Sequence, residues 1–185
     1  MEPTETIEIQ NVVASTAVGQ ELDLDTLSND FTGVSYDPEN FPGLVYRLQE
    51  PKAAALVFRS GKIVCTGASS TEDVQKALDV VFEKLHNLGI EAKSNPQITI
   101  QNIVSSADLG HLLNLNAIAI GLGLEHVEYE PEQFPGLVYR MDEPTVVVLF
   151  FGSGKLVVTG GKVLDDAIQA VEKVHNQLAT LGLLE

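Results

Sequence analysis

The stretch from Tyr36 to Gly67, YDPENFPGLVYRLQEPKAAALVFRSGKIVCTG, returns 93 positions later as Tyr129 to Gly160, YEPEQFPGLVYRMDEPTVVVLFFGSGKLVVTG, with 20 of 32 residues identical. A shorter echo sets Ile7 to Ser15 (IEIQNVVAS) against Ile98 to Ser106 (ITIQNIVSS) at an offset of 91. The chain is a tandem duplication, with repeats at residues 1–92 and 93–185. A stacked array needs at least about three units to bury its repeating faces. Two copies instead pair their sheets into one closed or saddle-like body, which can meet a ligand that is itself two-fold.

One repeat reads as strand, helix, four strands, helix. Ile7 to Ala14 alternates and is rich in Ile and Val, so a strand is expected there, then a short helix near Asp23 to Asn29 carried by Leu24 and Leu27. In the second copy Asn114 or Asn116 is the candidate cap of that helix. Three strands follow at Gly43 to Gln49, Ala53 to Arg59 and Lys62 to Gly67, with turns at Glu50-Pro51 and Ser60-Gly61 and a weaker strand near Thr32 to Tyr36. A long amphipathic helix closes the unit. Ser70 and Asp73 form its capping box, Val74, Ala77, Leu78, Val81, Phe82, Leu85 and Leu88 its stripe, and Gly89 its end. The counterpart stripe is Leu164, Ile168, Val171, Val174, Leu178 and Leu181, up to Gly182. Hairpin-length connections favour an antiparallel sheet.

Those helices can cover one face of the sheet only, yet the strands are apolar on both. Ala54, Leu56 and Phe58 alternate with Ala53, Ala55 and Val57, and Val147, Leu149 and Phe151 alternate with Val146, Val148 and Phe150. Periodicity leaves three covers open for the second face: another sheet, a homodimer partner or a large ligand. If exposed, such a face marks a binding surface.

Charge narrows the choice in an unexpected way. A net charge of −15 speaks against nucleic acid, because Lys and Arg contacts to phosphate usually dominate that affinity. The charge is unevenly spread, however. Phe41 to Gly67 carries net +3 and Phe134 to Lys162 net +1, leaving −19 for everything else. The repeated strand blocks are mildly basic on an acidic body. Hydrophobic residues make up 44% of the chain, enough for a core, and no apolar run approaches the ~20 residues of a membrane span. The acidic start, Met1, Glu2, Pro3, Thr4, Glu5, lacks a signal peptide's basic lead, so a cytoplasmic, nucleoid-associated location is expected. The single cysteine, Cys65, excludes an internal disulfide and a cysteine-based metal site, and reads as a small buried apolar residue.

IQN followed by Val or Ile, FPGLVYR, EP before an apolar strand ending in Phe, SGK and TG, all present twice, closely resemble the TATA-box-binding protein family of archaeal type, from Ile7 to Leu184. The acidity suggests a salt-adapted archaeon. The resemblance implies an α+β fold: a duplicated pseudo-twofold saddle, a curved ten-stranded antiparallel sheet with four helices on the convex face. It also implies that the missing cover is promoter DNA, held by its minor groove. The family is itself a standing example of kinking by inserted apolar side chains. The wedges would be Phe41 with Phe58 and Phe134 with Phe151. Asn11, Thr66, Asn102 and Thr159 would supply central hydrogen bonds, and Val13, Leu56, Val64, Val104, Leu149 and Val157 the apolar floor. Arg47, Arg59, Lys62, Arg140 and Lys155 would neighbour phosphates. The next partner would be transcription factor B, gripping the loop Glu128 to Gln133 through Glu130 and Glu132, with RNA polymerase recruited after it. Three positions depart from the family pattern: Ser69 stands where a lysine commonly follows TGA, Asn40 where many non-archaeal relatives are basic, and Gly152 where the first copy has Arg59.

No reaction chemistry competes. Gly152-Ser153-Gly154-Lys155 lacks both the earlier glycine and the following Ser or Thr of a phosphate loop, since positions 149 and 156 are Leu. Gly121 and Gly123 lack the third glycine and the preceding strand of a dinucleotide site. His86, His111, His126 and His175 have no metal-ligand spacing, and no metal, cofactor or catalytic residue is expected. The expected protein is a promoter-binding initiation factor. Its rivals are an interaction module that homodimerises through the concave face without DNA, and a saddle domain serving a nucleic-acid enzyme, which would need a catalytic domain.

Overall fold

The computed structural model describes residues 2–92 and 96–184. They form ten strands and four α-helices. In chain order these are β1 (Glu8–Ala17), α1 (Leu24–Asp30), β2 (Val34–Ser35), β3 (Leu44–Leu48), β4 (Ala53–Val57), β5 (Lys62–Ala68) and α2 (Thr71–Asn87). The series then repeats as β6 (Thr99–Asp108), α3 (Leu115–Leu122), β7 (Val127–Glu128), β8 (Leu137–Met141), β9 (Val146–Phe150), β10 (Lys155–Gly161) and α4 (Leu164–Thr180). A 3-10 turn at Pro3–Thr6 precedes β1. The antiparallel strand order is β2-β3-β4-β5-β1 in one half and β6-β10-β9-β8-β7 in the other.

Two compact units result, and their borders differ from those of the sequence repeat. One spans Asn11–Gln101, the other joins the residues up to Gln10 to those from Asn102 onward. Each unit therefore takes in the beginning of a strand that the sequence assigns to the other repeat. In the Asn11–Gln101 unit the Thr16 hydroxyl donates to the Gln97 carbonyl at 2.9 Å and the Gln101 amide to Ser15 Oγ at 2.8 Å. In the other unit the Asp108 N–H donates to Thr6 Oγ1 at 2.8 Å and the Gln10 amide to Ser106 Oγ at 2.9 Å.

Helix ends follow their local chemistry. Ser70 Oγ accepts the Asp73 N–H at 3.0 Å at the start of α2, where Glu72 and Asp73 also complement the N-terminal dipole. Asn114 is the cap of α3, accepting the Ala117 N–H at 3.1 Å. Asp23 caps α1, and the Thr26 N–H and hydroxyl on its carboxylate hold its pKa below the usual value. At α4 no such side chain precedes the helix, and Asp166 reaches back to the Lys162 N–H at 3.0 Å instead.

The two long helices bury their stripes on the sheet, α2 on β4 and β5 and α4 on β9 and β10. Ala77, Val81 and Leu85 in one, and Ala170, Val174 and Leu178 in the other, are fully buried, each large side chain worth about 1.5–3 kcal/mol. Leu88, Leu164 and Leu181, counted into the stripes by spacing, lie at their exposed margins, because each sits at or beyond a helix end where the sheet no longer reaches. Cys65 is buried on the helix side, and desolvation pushes its thiol up to about 11.

Candidate nucleic-acid interface

Period two divides every central strand between two faces. In β4, Ala53, Ala55 and Val57 are buried toward the helix while Ala54 and Leu56 are only half-buried, and β9 repeats the pattern with Val147 and Leu149 half-buried. Register then assembles the half-buried residues into rows. Leu56 pairs with Val45 and Val64, and Ala54 with Arg47 and Thr66. In the other unit Leu149 pairs with Val138 and Val157, and Val147 with Arg140 and Thr159. Val13 and Val104 are half-buried in the same way on β1 and β6. Each unit thus presents an apolar floor with one threonine on it.

A bulge sets the asparagines. Between the Ala14–Cys65 and Val12–Ala68 pairs, β5 carries one residue more than β1, and between Val158–Ser105 and Gly161–Ile103, β10 carries one more than β6. The extra turn of chain falls on Thr66-Gly67 and Thr159-Gly160. Gly67 at φ 86° and Gly160 at φ 97° occupy the left-handed region that a side chain disfavours. Their N–H groups donate to Asn11 Oδ1 and Asn102 Oδ1, both at 2.6 Å. This fixes the amide orientation, since an Nδ2 in that place would set donor against donor. What each asparagine has left for another molecule is its Nδ2, a donor. Asn102 shares one Nδ2 proton with Thr159 Oγ1 at 3.2 Å.

The FPG turns build the remaining feature. The Asp37 carbonyl accepts the Phe41 N–H at 3.0 Å and the Glu130 carbonyl accepts that of Phe134 at 3.0 Å, and each ring meets the phenylalanine that directly follows β4 or β9. Phe41 meets Phe58 edge-on at 5.8 Å between centroids, and Phe134 meets Phe151 at 5.9 Å. Such pairs are worth roughly 0.5–1.5 kcal/mol beyond burial. The glycine leaves the rings their place: a Cβ at Gly43 would lie 2.7 Å from Phe41 Cε2, and one at Gly136 2.7 Å from Phe134 Cε2, so either ring would have to shift. Phe41 and Phe134 nonetheless remain 37% and 39% exposed.

The family model described as transcription factor TFIID, or TATA-binding protein, matches residues 6–88 and 97–181. The chain belongs to the TATA-binding protein family. TATA-box-binding protein 2 of Haloferax volcanii is 68% identical over 182 residues, 98% of each chain. The TATA-box-binding protein of Archaeoglobus fulgidus is 60% identical over 178 residues, 96% of this chain and 97% of its own. The solved TBP of Methanococcus jannaschii, 50% identical, superposes with a TM-score of 0.85 over 94% of this chain and 98% of its own. The expected fold class, ten antiparallel strands with four helices, is that of the TATA-binding protein family, whose members are transcription factors and not enzymes. No described helix is long and apolar enough to cross a membrane, and no described cluster of His, Cys, Asp and Glu could hold a metal ion.

The basic residues expected beside phosphates fare differently in the two repeats. Arg140 is paired with Glu128 at 3.2 Å, and Lys155 lies directly across the ladder from Asp108. Lys62, its first-repeat equivalent, faces Ala17 instead. Arg59 reaches Asp25 at 3.8 Å, an exposed contact. Arg47 makes no ion pair among the described residues and lines, with Lys52, Thr66 and Gly67, an open groove of about 500 Å³. Arg140 is thus neutralised from within, and Arg59 more loosely, which charge counting by segment missed because their acids lie outside the repeated block. On the acidic loop, Glu130 and Glu132 are exposed, and Glu130, Gln133, Phe134 and Gly136 line a hollow of about 200 Å³.

Proposed function

We propose that this chain is a general transcription initiation factor that binds the minor groove of AT-rich TATA-box DNA, bends it by phenylalanine insertion, and recruits transcription factor B and RNA polymerase. The repeats 1–92 and 93–185 supply one half-site each. The observation that carries the reading is the duplicated donor: in both units a bulge glycine occupies the asparagine's oxygen, so that Nδ2 is what remains for a ligand. A·T pairs show only acceptors in the minor groove, N3 of adenine and O2 of thymine, whereas guanine adds an amino group. Two donors set in an apolar floor of Val13, Leu56 and Val64, and of Val104, Leu149 and Val157, match the first and exclude the second. Phe41 with Phe58 and Phe134 with Phe151 are the wedges, already paired edge-on and partly exposed. Unstacking a base step costs a few kcal/mol, and two aromatic rings per step can replace the lost stacking.

Arg47, Arg59, Lys62, Arg140 and Lys155 act as phosphate neighbours. With Arg140 and Lys155 opposed by acids and a body at −15, they contribute little net attraction. At ~1 M salt the Debye length is ~3 Å, so both attraction and repulsion at range vanish while apolar burial persists. Affinity is therefore flat or rising with KCl. Glu130 and Glu132 face a basic surface on transcription factor B.

A fluorescence-anisotropy titration in molar KCl, with an AT-rich promoter duplex and a GC-substituted control, tests the reading. Selective binding weakened by both Phe41→Ala and Phe134→Ala is expected. Equal affinity for the two duplexes, or no binding together with a dimer held by the sheet face, overturns it, and a steep loss with KCl of the ordinary basic kind refutes the salt argument.

A further inference from the structure

The two repeats provide an internal control for the helix side. The Val18 N–H donates to Gly61 O and the Leu22 N–H to Arg59 O, just as Leu109 donates to Gly154 O and Leu113 to Gly152 O. Asp23 caps α1 as Asn114 caps α3. Residues 20–30 and 111–121 therefore occupy equivalent places. Their inward side chains agree: Leu22, Leu24 and Leu27 are buried, as are Leu113, Leu115 and Ile118.

Their outward side chains do not. Glu21, Asp25, Asn29 and Asp30 of the first repeat become Leu112, Asn116, Ile120 and Gly121 of the second. Leu112 is 83% exposed, Ile120 76% and Leu124, just beyond the helix, 75%. Ile120 lies on α3, Leu112 three residues ahead of its first residue and Leu124 two residues past its last. The neighbouring end of α4 has changed in the same sense, with Asn176, Gln177 and Thr180 standing where α2 has Glu83, Lys84 and Asn87. Gly121, Leu122, Asn176, Gln177, Thr180 and Leu181 enclose a groove of about 360 Å³. A Cβ on Gly121 would lie 2.9 Å from Leu181 Cδ1, the end of an exposed side chain that would have to shift.

Since α1 supports the same sheet with acids outward, folding does not require an apolar, uncharged exterior on α3. We infer that this surface is an interface between two copies of the chain. The occupant follows from charge. A basic partner is held better by the acids that the first repeat keeps, whereas a second body at −15 is repelled by them. Glu125 stays beside Leu124, but α3 itself carries no charge, which suits an acidic mate better than the acids of α1. Three exposed apolar side chains and one groove amount to less than the ~800 Å² per partner that a standard interface buries. The dimer is accordingly weak and concentration-dependent, strengthened by salt. The patch is on the helix side of its unit, where α4 covers β9 and β10, so dimerisation leaves the sheet face of that unit free.

Sedimentation velocity of the full chain in about 2 M KCl, over roughly 1–200 µM, reads the outcome directly. The mass is expected to climb from 19.9 kDa toward twice that value. The double variant Leu112→Glu with Ile120→Asn installs the first repeat's own residues, which this fold accommodates, and should stay monomeric while melting normally. The matched change Asn29→Ile should not lower association. A chain that remains at the monomer mass throughout overturns the inference, as does a dimer that survives the double variant or that dissociates when promoter duplex is added. DNA affinity of the double variant, expected within about twofold of the parent, keeps this test separate from that of the proposed function.

Discussion

Replacing Asn102 by aspartate separates the structural task of this residue from its proposed task in the groove. Its Oδ1 accepts the Gly160 N–H at 2.6 Å, and a carboxylate oxygen accepts it equally well. The contact at 3.2 Å to Thr159 Oγ1 reverses direction, the hydroxyl now donating. The bulge stays satisfied, so stability changes by less than about 1 kcal/mol, which is ~2–4 °C in melting temperature at this chain length. Against DNA the change is large. The donor facing adenine N3 or thymine O2 becomes a charged acceptor facing acceptors, which forfeits a hydrogen bond and buries an unpaired charge, at a cost of about 3 kcal/mol or more. That is a loss of roughly 100-fold in Kd. Anisotropy titrations of Asn102→Asp and Asn11→Asp, alongside thermal melts, provide the check. If both variants melt like the parent and bind within about threefold of it, the amides do not donate into the groove, and the account of AT selectivity fails.

Ser105 is 1% exposed and its hydroxyl has no partner among the described residues, while the first repeat places Ala14 in the equivalent position. Ser105→Ala should therefore stabilise the protein by about 1 kcal/mol, and an unchanged or lower melting temperature contradicts this. Gly136→Ala forces the Phe134 and Phe151 rings, 2.7 and 3.0 Å from the new methyl, to move, which should cost ~1–3 kcal/mol in urea denaturation and weaken duplex binding. Parental values for both would show the ring pair to be loosely held. For Cys65 the folded pKa of about 11 lies above the thiol's ordinary value of 9.0, so the folded state keeps its proton while the unfolded chain ionises. This contribution is complete below pH 9 and is lost as pH rises toward 11, by at most roughly 3 kcal/mol. Urea midpoints across that range should fall less steeply for Cys65→Ala; parallel slopes contradict the assignment.

Where a side chain's fate depends on local spacing, the sequence predicted it. The alternation in Ala53 to Phe58 and in Val146 to Phe151 gave two apolar faces, and the structure leaves one of them half-buried in each unit. The Ser70 cap and the Asp73 that follows it needed only four residues of context. The bulges at Thr66-Gly67 and Thr159-Gly160 were not foreseen. They appear only once β5 is laid against β1 and β10 against β6, strands far apart in the chain, although a TG at the end of an apolar strand was their visible trace. The ion pair of Arg140 with Glu128 joins neighbouring strands across a loop, and counting charge along the chain placed the two in separate segments. The reach of the first ten residues into the second repeat's unit has no local signal at all, since it is tertiary packing that decides it.

Divergence between the two copies separates the surfaces by what they must match. Asn11 and Asn102, Leu56 and Leu149, Phe58 and Phe151, and Thr66 and Thr159 are identical pairs, all on or beside the sheet face, and even the glycines that seat them are kept as Gly67 and Gly160 and as Gly43 and Gly136. A face that meets two similar halves of one ligand has to remain the same twice, because any change improves one contact at the other's expense. The cations are kept only in part: Arg47 and Lys62 recur as Arg140 and Lys155, whereas Arg59 corresponds to Gly152 and Ser69 to Lys162. Phosphates supply a diffuse field that many placements serve equally. On the helix side the outward residues of α1 and α3 share almost nothing while their inward residues agree. That surface answers to no duplicated partner, which is why one copy could lose its acids there and the other keep them.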